Sequence, residues 1–250
     1  MEEVTNESGA LESKECQLLE QQSTEFPRKG IKSFVKRVGR VTNAQQEALK
    51  RFYDKHSLAP DSSEQLDKEA IFGRIAPVVF EIGFGNGDSL AKMAAADPDK
   101  DYIGIEVHRP GIGHLLNLIE QGNLSNVKIM EGDAVEVLQN HFPDSFLHGV
   151  QLFFPDPWPK KRHFKRRIVQ PSWVNKIYTK LEKDGFLHMA TDWENYAEHM
   201  LEVLEADGRF VNQNGAGNFA PRPAHRPETK FERRGINLGH GVWDLIYIKK

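Results

Sequence analysis

The sequence predicts an α/β fold: a doubly wound, mainly parallel, seven-stranded sheet with one antiparallel strand near the C-terminus. Three observations predict it. From Val78 onward short apolar runs alternate with helical stretches. The last two runs, near Phe210–Val211 and Val242–Ile248, have no helix between them and so form an antiparallel pair. A glycine-rich turn, Gly83-Phe84-Gly85-Asn86-Gly87, lies where the first strand meets its helix, at the edge where open α/β sheets hold ligands.

The elements follow in order. Residues 1–25 carry seven acids against one base, show no periodicity, and read as a disordered acidic tail. Residues 26–70 read as a basic arm and an N-terminal helix. Arg28, Lys29, Lys32, Lys36, Arg37 and Arg40 are six bases with no acid among them. Ala44–His56 reads as a helix opened by an Asn43 cap, and 59–70 as a polar connection. Residues 71–250 form the main domain. Its strands are expected at Val78–Ile82, Tyr102–Ile105, Val127–Met130, Gly149–Phe154 and Gly185–Ala190, before the final pair. Helices are expected at Asp88–Ala96, Pro110–Gln121, Ala134–Asn140, Ser172–Leu181 and Trp193–Ala206. Pro110 suits the first turn of its helix, where its fixed φ and missing N–H cost nothing.

Composition narrows the class. The 250 residues are 39% apolar, enough for one large core. No run is long and apolar enough to span a bilayer, and no apolar segment of the secretory type follows Met1. The single cysteine, Cys16, excludes an internal disulfide and a Cys-based zinc cluster. The histidines show no His-Glu-x-x-His spacing and there is no Gly-x-Ser-x-Gly elbow, so metal-dependent and serine-hydrolase chemistry are poor readings. A cytoplasmic protein without a metal is expected. The net charge of −3 argues against nucleic acid until the tail is set aside; the tail's local charge of −6 leaves +3 on the remainder. A second basic run, Lys160-Lys161-Arg162-His163-Phe164-Lys165-Arg166-Arg167, holds six more bases. Such density suits phosphates, since each base can displace condensed counterions.

The glycine turn carries the cofactor argument. A dinucleotide fingerprint starting at Gly83 needs its third glycine where Asp88 stands, so a nicotinamide oxidoreductase fails on spacing. Gly83-x-Gly85-x-Gly87 preceded by Glu81 instead suits S-adenosylmethionine, whose ammonium and sulfonium favour a nearby carboxylate. Glu106, ending the second strand, falls where an acid accepts from ribose hydroxyls, and Asp133, after the third, where a side chain can bond an adenine amino group. Taken singly, Asp133 is also a fair helix cap.

The fourth strand ends in Phe154-Pro155-Asp156-Pro157-Trp158-Pro159-Lys160, a stiff loop presenting a carboxylate and a large aromatic. An aromatic face to stack an unpaired base and an acceptor to read its edge are what base-modifying enzymes need. These segments, with Gly104–Gly111, Ala190-Thr191-Asp192-Trp193 and Thr229-Lys230-Phe231-Glu232-Arg233-Arg234-Gly235, resemble the bacterial tRNA (guanine-N7-)-methyltransferases, the TrmB type. The resemblance runs from about Gly39 to Lys250. It implies a Rossmann-like methyltransferase sheet, S-adenosylmethionine as cofactor, and the guanosine at position 46 of the tRNA variable loop as acceptor. It further implies cofactor contacts at Glu81, Glu106 and Asp133, and a catalytic acid, also beside the cofactor, at Asp156. Substrate contacts are implied at Lys160, Asp192, Thr229, Lys230, Phe231 and Glu232, and an RNA-contacting stretch from Arg162 to Arg167, taking in His163, Phe164, Lys165 and Arg166.

Mechanistically, Asp156 is expected to position guanine, Asp192 and Glu232 to accept from its N1–H and N2 amino group, and Lys160, Arg162, Lys165, Arg166, Arg167 and Lys230 to hold phosphates. A monomer is expected. Two rivals remain at this point: an amino-group nucleic-acid methyltransferase, weakened by the displaced second proline of Pro155-Asp156-Pro157-Trp158, and a non-catalytic RNA-binding module on the same scaffold.

Overall fold

Alternate residues of the first strand are buried in different layers, which fixes the architecture. The computed structural model describes residues 33–34, 39–59, 64–229, 232–233, 239 and 241–250. The tail at 1–25, most of the arm (Arg28, Lys29, Lys32, Lys36 and Arg37), and Lys230 and Phe231 lie outside the described residues. In chain order the elements are α1 (Asn43–His56), α2 (Lys68–Phe72), β1 (Val78–Ile82), α3 (Asp88–Ala96), β2 (Asp101–Glu106), α4 (Arg109–Gly122), β3 (Val127–Glu131), α5 (Ala134–Asn140) and β4 (Leu147–Phe153). A 3-10 turn over Lys161–Arg166 then precedes α6 (Pro171–Lys180), β5 (Leu181–Thr191), α7 (Glu194–Asp207), β6 (Phe210–Asn212) and β7 (Trp243–Lys249).

The strands lie in the order β3-β2-β1-β4-β5-β7-β6. The first five in that row run parallel; β7 is antiparallel to both β5 and β6. The expected mainly parallel sheet with one antiparallel strand is therefore present. β1 is buried at all five positions, as a central parallel strand covered on both faces must be. Val78, Phe80 and Ile82 join one core layer with Leu138 of α5, Trp173 and Ile177 of α6, and Tyr196 and Met200 of α7. Val79 joins the other with Ala48 of α1, Leu90 and Met93 of α3, and Leu115 and Ile119 of α4. The side-chain period of two turns this alternation into a three-layer sandwich. Truncating a fully buried leucine such as Leu90 or Leu115 to alanine costs about 2–5 kcal/mol.

Two local expectations are corrected. The cap of α1 is Thr42, not Asn43: Thr42 Oγ1 accepts the Gln45 N–H at 3.3 Å while Gln45 Oε1 accepts the Thr42 N–H at 2.9 Å. This reciprocal box satisfies two backbone donors, which a lone Asn cap does not. The polar connection expected over 59–70 ends early, because Asp67 accepts the Ala70 N–H at 2.8 Å and starts α2. Leu66 joins the core, with Ile71 and Phe72 packed against it. The basic run itself forms a 3-10 turn over Lys161–Arg166.

Candidate active site

Because β1 to β5 are parallel, the loops after them emerge at one edge of the sheet. The order places β1 beside β4, with the crossovers diverging from that pair; this is the switch point at which such sheets open a crevice. The sequence-predicted residues Glu81, Glu106, Asp133, Asp156 and Asp192 all lie on those strand ends or the loops that leave them.

The glycine turn is built for close approach. Gly83, Gly85 and Gly87 have φ of 73°, 60° and 77°, a left-handed region costly to other residues. A Cβ at Gly83 or Gly85 would meet nothing within 4 Å, so the outer side of the turn is open. On the inner side the turn is tied down: Gly83 N–H donates to Ile105 O at 2.8 Å and Gly85 N–H to Glu106 Oε2 at 2.9 Å. Glu106 Oε1 accepts from the N–H groups of Val107 and His108 at 2.7 and 3.0 Å.

Glu81, two residues before this turn, is buried, and among the described residues its Oε2 has no hydrogen-bond partner. Burial, reinforced by the Glu106 charge, pushes its carboxyl up to about 8. A buried carboxyl oxygen without a partner, beside an open glycine turn, suits a cationic or hydrogen-bonding ligand. S-adenosylmethionine, with an ammonium and a sulfonium, fits that donor set. Asp133 accepts the Val135 N–H at 3.0 Å and so caps α5, in the loop that leaves β3. The N–H of Gly132 donates to Glu106 O at 3.2 Å, joining the β2 and β3 loops.

The loop after β4 is strained at both ends. Phe154 and Trp158 hold φ of 52° and 46°, bracketing Pro155-Asp156-Pro157. Each such residue costs on the order of 1–2 kcal/mol, and such strain concentrates at functional sites. The Phe154 N–H donates to Ala190 O at 2.8 Å, which pins the loop to β5, and Asp156 is left exposed.

Several expectations change here. Trp158 is not an open stacking platform. The Arg166 guanidinium lies 3.9 Å from its ring centroid, His163 packs edge-on against it, and its Nε1–H donates to Ser33 O at 3.0 Å. Arg167 is not a surface phosphate ligand but is 2% exposed. It donates to Pro157 O at 3.0 Å and to Asn195 Oδ1 at 2.9 Å, and lies over the rings of Phe164 and Tyr196. It therefore staples the Asp156 loop and the 3-10 turn to α7, and Phe164 is committed to the same stack. Lys160, Lys161, Arg162 and Lys165 remain exposed. Burial and the neighbouring Arg162 hold His163 below its ordinary value.

Asp192, partly exposed, follows Thr191, whose hydroxyl accepts the Trp193 N–H at 3.2 Å. Trp193 itself is 38% exposed beside it. Thr229 and Glu232 are held by each other: Thr229 Oγ1 accepts the Glu232 N–H at 3.1 Å, and Glu232 Oε2 accepts the Thr229 N–H at 3.3 Å. The pair is a capping box, which the Thr-x-x-Glu spacing could have announced. Residues that sequence reasoning missed are Arg226, Asp244 and His188, which are buried and bonded to one another behind this box.

Among the described residues no group of acids, histidines or cysteines could hold a metal ion, and no helix is long and apolar enough to cross a membrane.

A seven-stranded sheet of this order, with a glycine cradle over a buried acid, defines a Rossmann-like methyltransferase. The comparisons narrow this. Residues 75–245 match a family model described as a putative methyltransferase. The chain is 58% identical over 221 residues to a tRNA (guanine-N(7)-)-methyltransferase of Alkalilimnicola ehrlichii, covering 88% of this chain and 93% of that one. It is 59% identical over 220 residues to the enzyme of the same description from Alcanivorax borkumensis, covering 88% and 92%. The crystal structure of the 16S rRNA methyltransferase KamB shares the fold, with a TM-score of 0.54 at 13% identity, covering 78% of this chain and 99% of that one. The chain belongs to the tRNA (guanine-N(7)-)-methyltransferase family.

Proposed function

We propose that this chain transfers a methyl group from S-adenosylmethionine to N7 of a guanosine in tRNA, at position 46 of the variable loop. The acceptor rests on the family; the observation that carries the site is the juxtaposition at the β1/β4 switch. There Glu81, whose Oε2 has no partner among the described residues, leads into an open turn, and exposed Asp156 follows the neighbouring strand. Bound cofactor supplies an electrophilic methyl on a cationic sulfur. Glu81 would accept from its ammonium, Glu106 from its ribose hydroxyls, and Asp133 would meet its adenine.

Guanine N7 carries a free lone pair, so accepting a methyl needs no general base. The chain's task is alignment, worth several kcal/mol when reacting atoms are held about 3–3.5 Å apart. Asp156 orients the guanine, and its carboxylate favours the positive charge that appears on the imidazole ring. Asp192 accepts from the N1–H and N2 amino edge, which adenine lacks. Lys160, Lys161, Arg162 and Lys165 hold backbone phosphates. In this reading the chain acts as a monomer in the cytoplasm, where tRNA is found.

Transfer of labelled methyl to unmodified tRNA, followed by mapping of the labelled nucleoside, tests the reading. N7-methylguanosine at position 46 is the expected product; label on an exocyclic amine would replace the reading with an amino-group methyltransferase. Asp156→Ala should retain cofactor binding and lose turnover by about 100-fold or more, in line with removal of an electrostatic group at the reacting centre. An Asp156→Ala enzyme of near-normal rate would remove its catalytic role.

A further inference from the structure

Glu232 is the last residue of the segment that the resemblance assigns to substrate, yet neither of its carboxylate oxygens is free. Oε2 accepts from Arg226 Nη1 at 2.7 Å and Oε1 from Arg226 Nη2 at 3.1 Å. The other edge of Arg226 holds Asp244 of β7, Nε to Oδ1 and Nη2 to Oδ2, both at 2.8 Å. Asp244 Oδ1 also meets His188 Nε2 of β5 at 2.7 Å. The side chains of Arg226, Glu232 and Asp244 are 0%, 4% and 2% exposed.

We infer that Glu232 is not a reader of the base but a positioning residue. With Arg226 and Asp244 it clamps Thr229 and its own backbone to the antiparallel end of the sheet. Glu232 fills three of a carboxylate's roughly four acceptor directions with a two-pronged guanidinium and a backbone N–H. Its burial closes the fourth to an incoming base, whereas Glu106, which also accepts three, is only half-buried. Freeing it for guanine would leave Arg226 half-paired in a buried site, which is strongly unfavourable. Buried ion pairs are also a weak way to stabilise a fold but fix geometry well, since a guanidinium fork accepts only one planar arrangement of its partners. The clamp bears on the site directly. His188 packs edge-on against Phe153, and Arg226 lies 5.8 and 5.7 Å from the rings of Phe153 and Phe154, where the Asp156 loop begins. One network thus sets both the Thr229 segment and the root of the catalytic loop. Asp192 is then the acid that reads the guanine edge.

This inference rests on the guanine acceptor proposed above, and the experiment separates the two. Full-length tRNA transcripts carrying guanosine or inosine at the target position differ only by the N2 amino group. Glu232→Gln should raise KM for tRNA about tenfold or more, the loss of about 1.4 kcal/mol, equally on both substrates. Its cofactor affinity, measured by calorimetry, should stay within about threefold of the parent's, well below the tenfold that 1.4 kcal/mol represents. Arg226→Lys, which keeps the charge and loses the fork, should show the same pattern more weakly. Asp192→Asn should instead narrow the guanosine-to-inosine ratio. A Glu232→Gln enzyme that loses discrimination, that keeps its KM for tRNA, or that loses cofactor binding in parallel overturns the clamp. A parent enzyme that never distinguishes the two substrates overturns base reading by Asp192, while the KM of Glu232→Gln still decides the clamp.

Discussion

Glu106 and Gly85 are joined where the end of β2 meets the glycine turn, the carboxylate accepting the glycine N–H at 2.9 Å. The same side chain accepts the N–H groups of Val107 and His108. An acid expected to do nothing but meet a ribose therefore also sets the position of the turn that faces it. A glutamine there has one acceptor oxygen instead of two, so at least one backbone donor loses its partner. That costs about 1–3 kcal/mol, or roughly 2–4 °C of Tm per kcal/mol for a chain of this size. Glu106→Gln should thus lower both Tm and cofactor affinity. Weakened cofactor binding with an unchanged Tm would mean the Gly85 bond contributes nothing to the fold.

Glu81 gives the ligand-free protein a pH dependence with a definite sign. Its carboxyl is pushed from 4.5 up to about 8 in the fold, so between these values the native state holds a proton that the unfolded chain has released. Stability contributed by that proton is fully present below about 4.5 and is lost as pH rises toward about 8. Glu81→Gln keeps the neutral shape and removes the titration. The difference in Tm between parent and Glu81→Gln should therefore move against the parent as pH increases across this window. A flat difference would show that Glu81 ionises normally in the fold.

The basic run divides into two kinds of residue that a salt titration separates. Lys161, Arg162 and Lys165 are exposed, whereas Arg167 is buried against Phe164 and Tyr196 with its donors on Pro157 and Asn195. Arg162→Glu and Lys165→Glu should weaken tRNA binding and flatten the dependence of log affinity on log salt by about 0.7–0.9 per phosphate released. Arg167→Met should leave that slope alone while lowering stability by about 1–3 kcal/mol, because it strands the Pro157 carbonyl and the Asn195 amide. A flattened slope for Arg167→Met would return that residue to the phosphate surface.

What was readable in the sequence follows the range of the physics involved. β1, α3 and α5 matched at both ends, since their limits are set by local pattern: an apolar run, a glycine stop, an aspartate cap. The glycine turn and the placement of Glu81, Glu106 and Asp133 at strand ends were legible because strand ends and glycine spacing are local too. Arg167 was not, because nothing in a run of six bases marks the one whose partners lie on α7, about thirty residues away. Arg226 and Asp244 were silent for the same reason, their pairing being created by the crossover that returns β7 to β5. Trp158 misled because an aromatic between prolines looks exposed until Arg166 folds back over it.

Gly111 is a sharper case of the same kind, and two opposing effects there allow a decisive measurement. It lies in the first turn of α4, where alanine is intrinsically the better helix former by about 1 kcal/mol. A Cβ at Gly111, however, would stand 2.0 Å from the Gly85 carbonyl oxygen, a backbone atom that cannot rotate away. Relieving an overlap of that size means moving α4 or the glycine turn, at a cost of about 1–3 kcal/mol, so the clash outweighs the propensity. The turn is the softer of the two, because its outer side is open while α4 is packed through Ile112, Leu115 and Leu116. Gly111→Ala should consequently lower cofactor affinity by about tenfold or more, the displacement falling on Gly83–Gly87, with a smaller change in Tm. Calorimetric titration of the variant with S-adenosylmethionine reads this directly, and a Gly111→Ala protein that binds the cofactor as tightly as its parent and melts higher would show that the turn has room to spare.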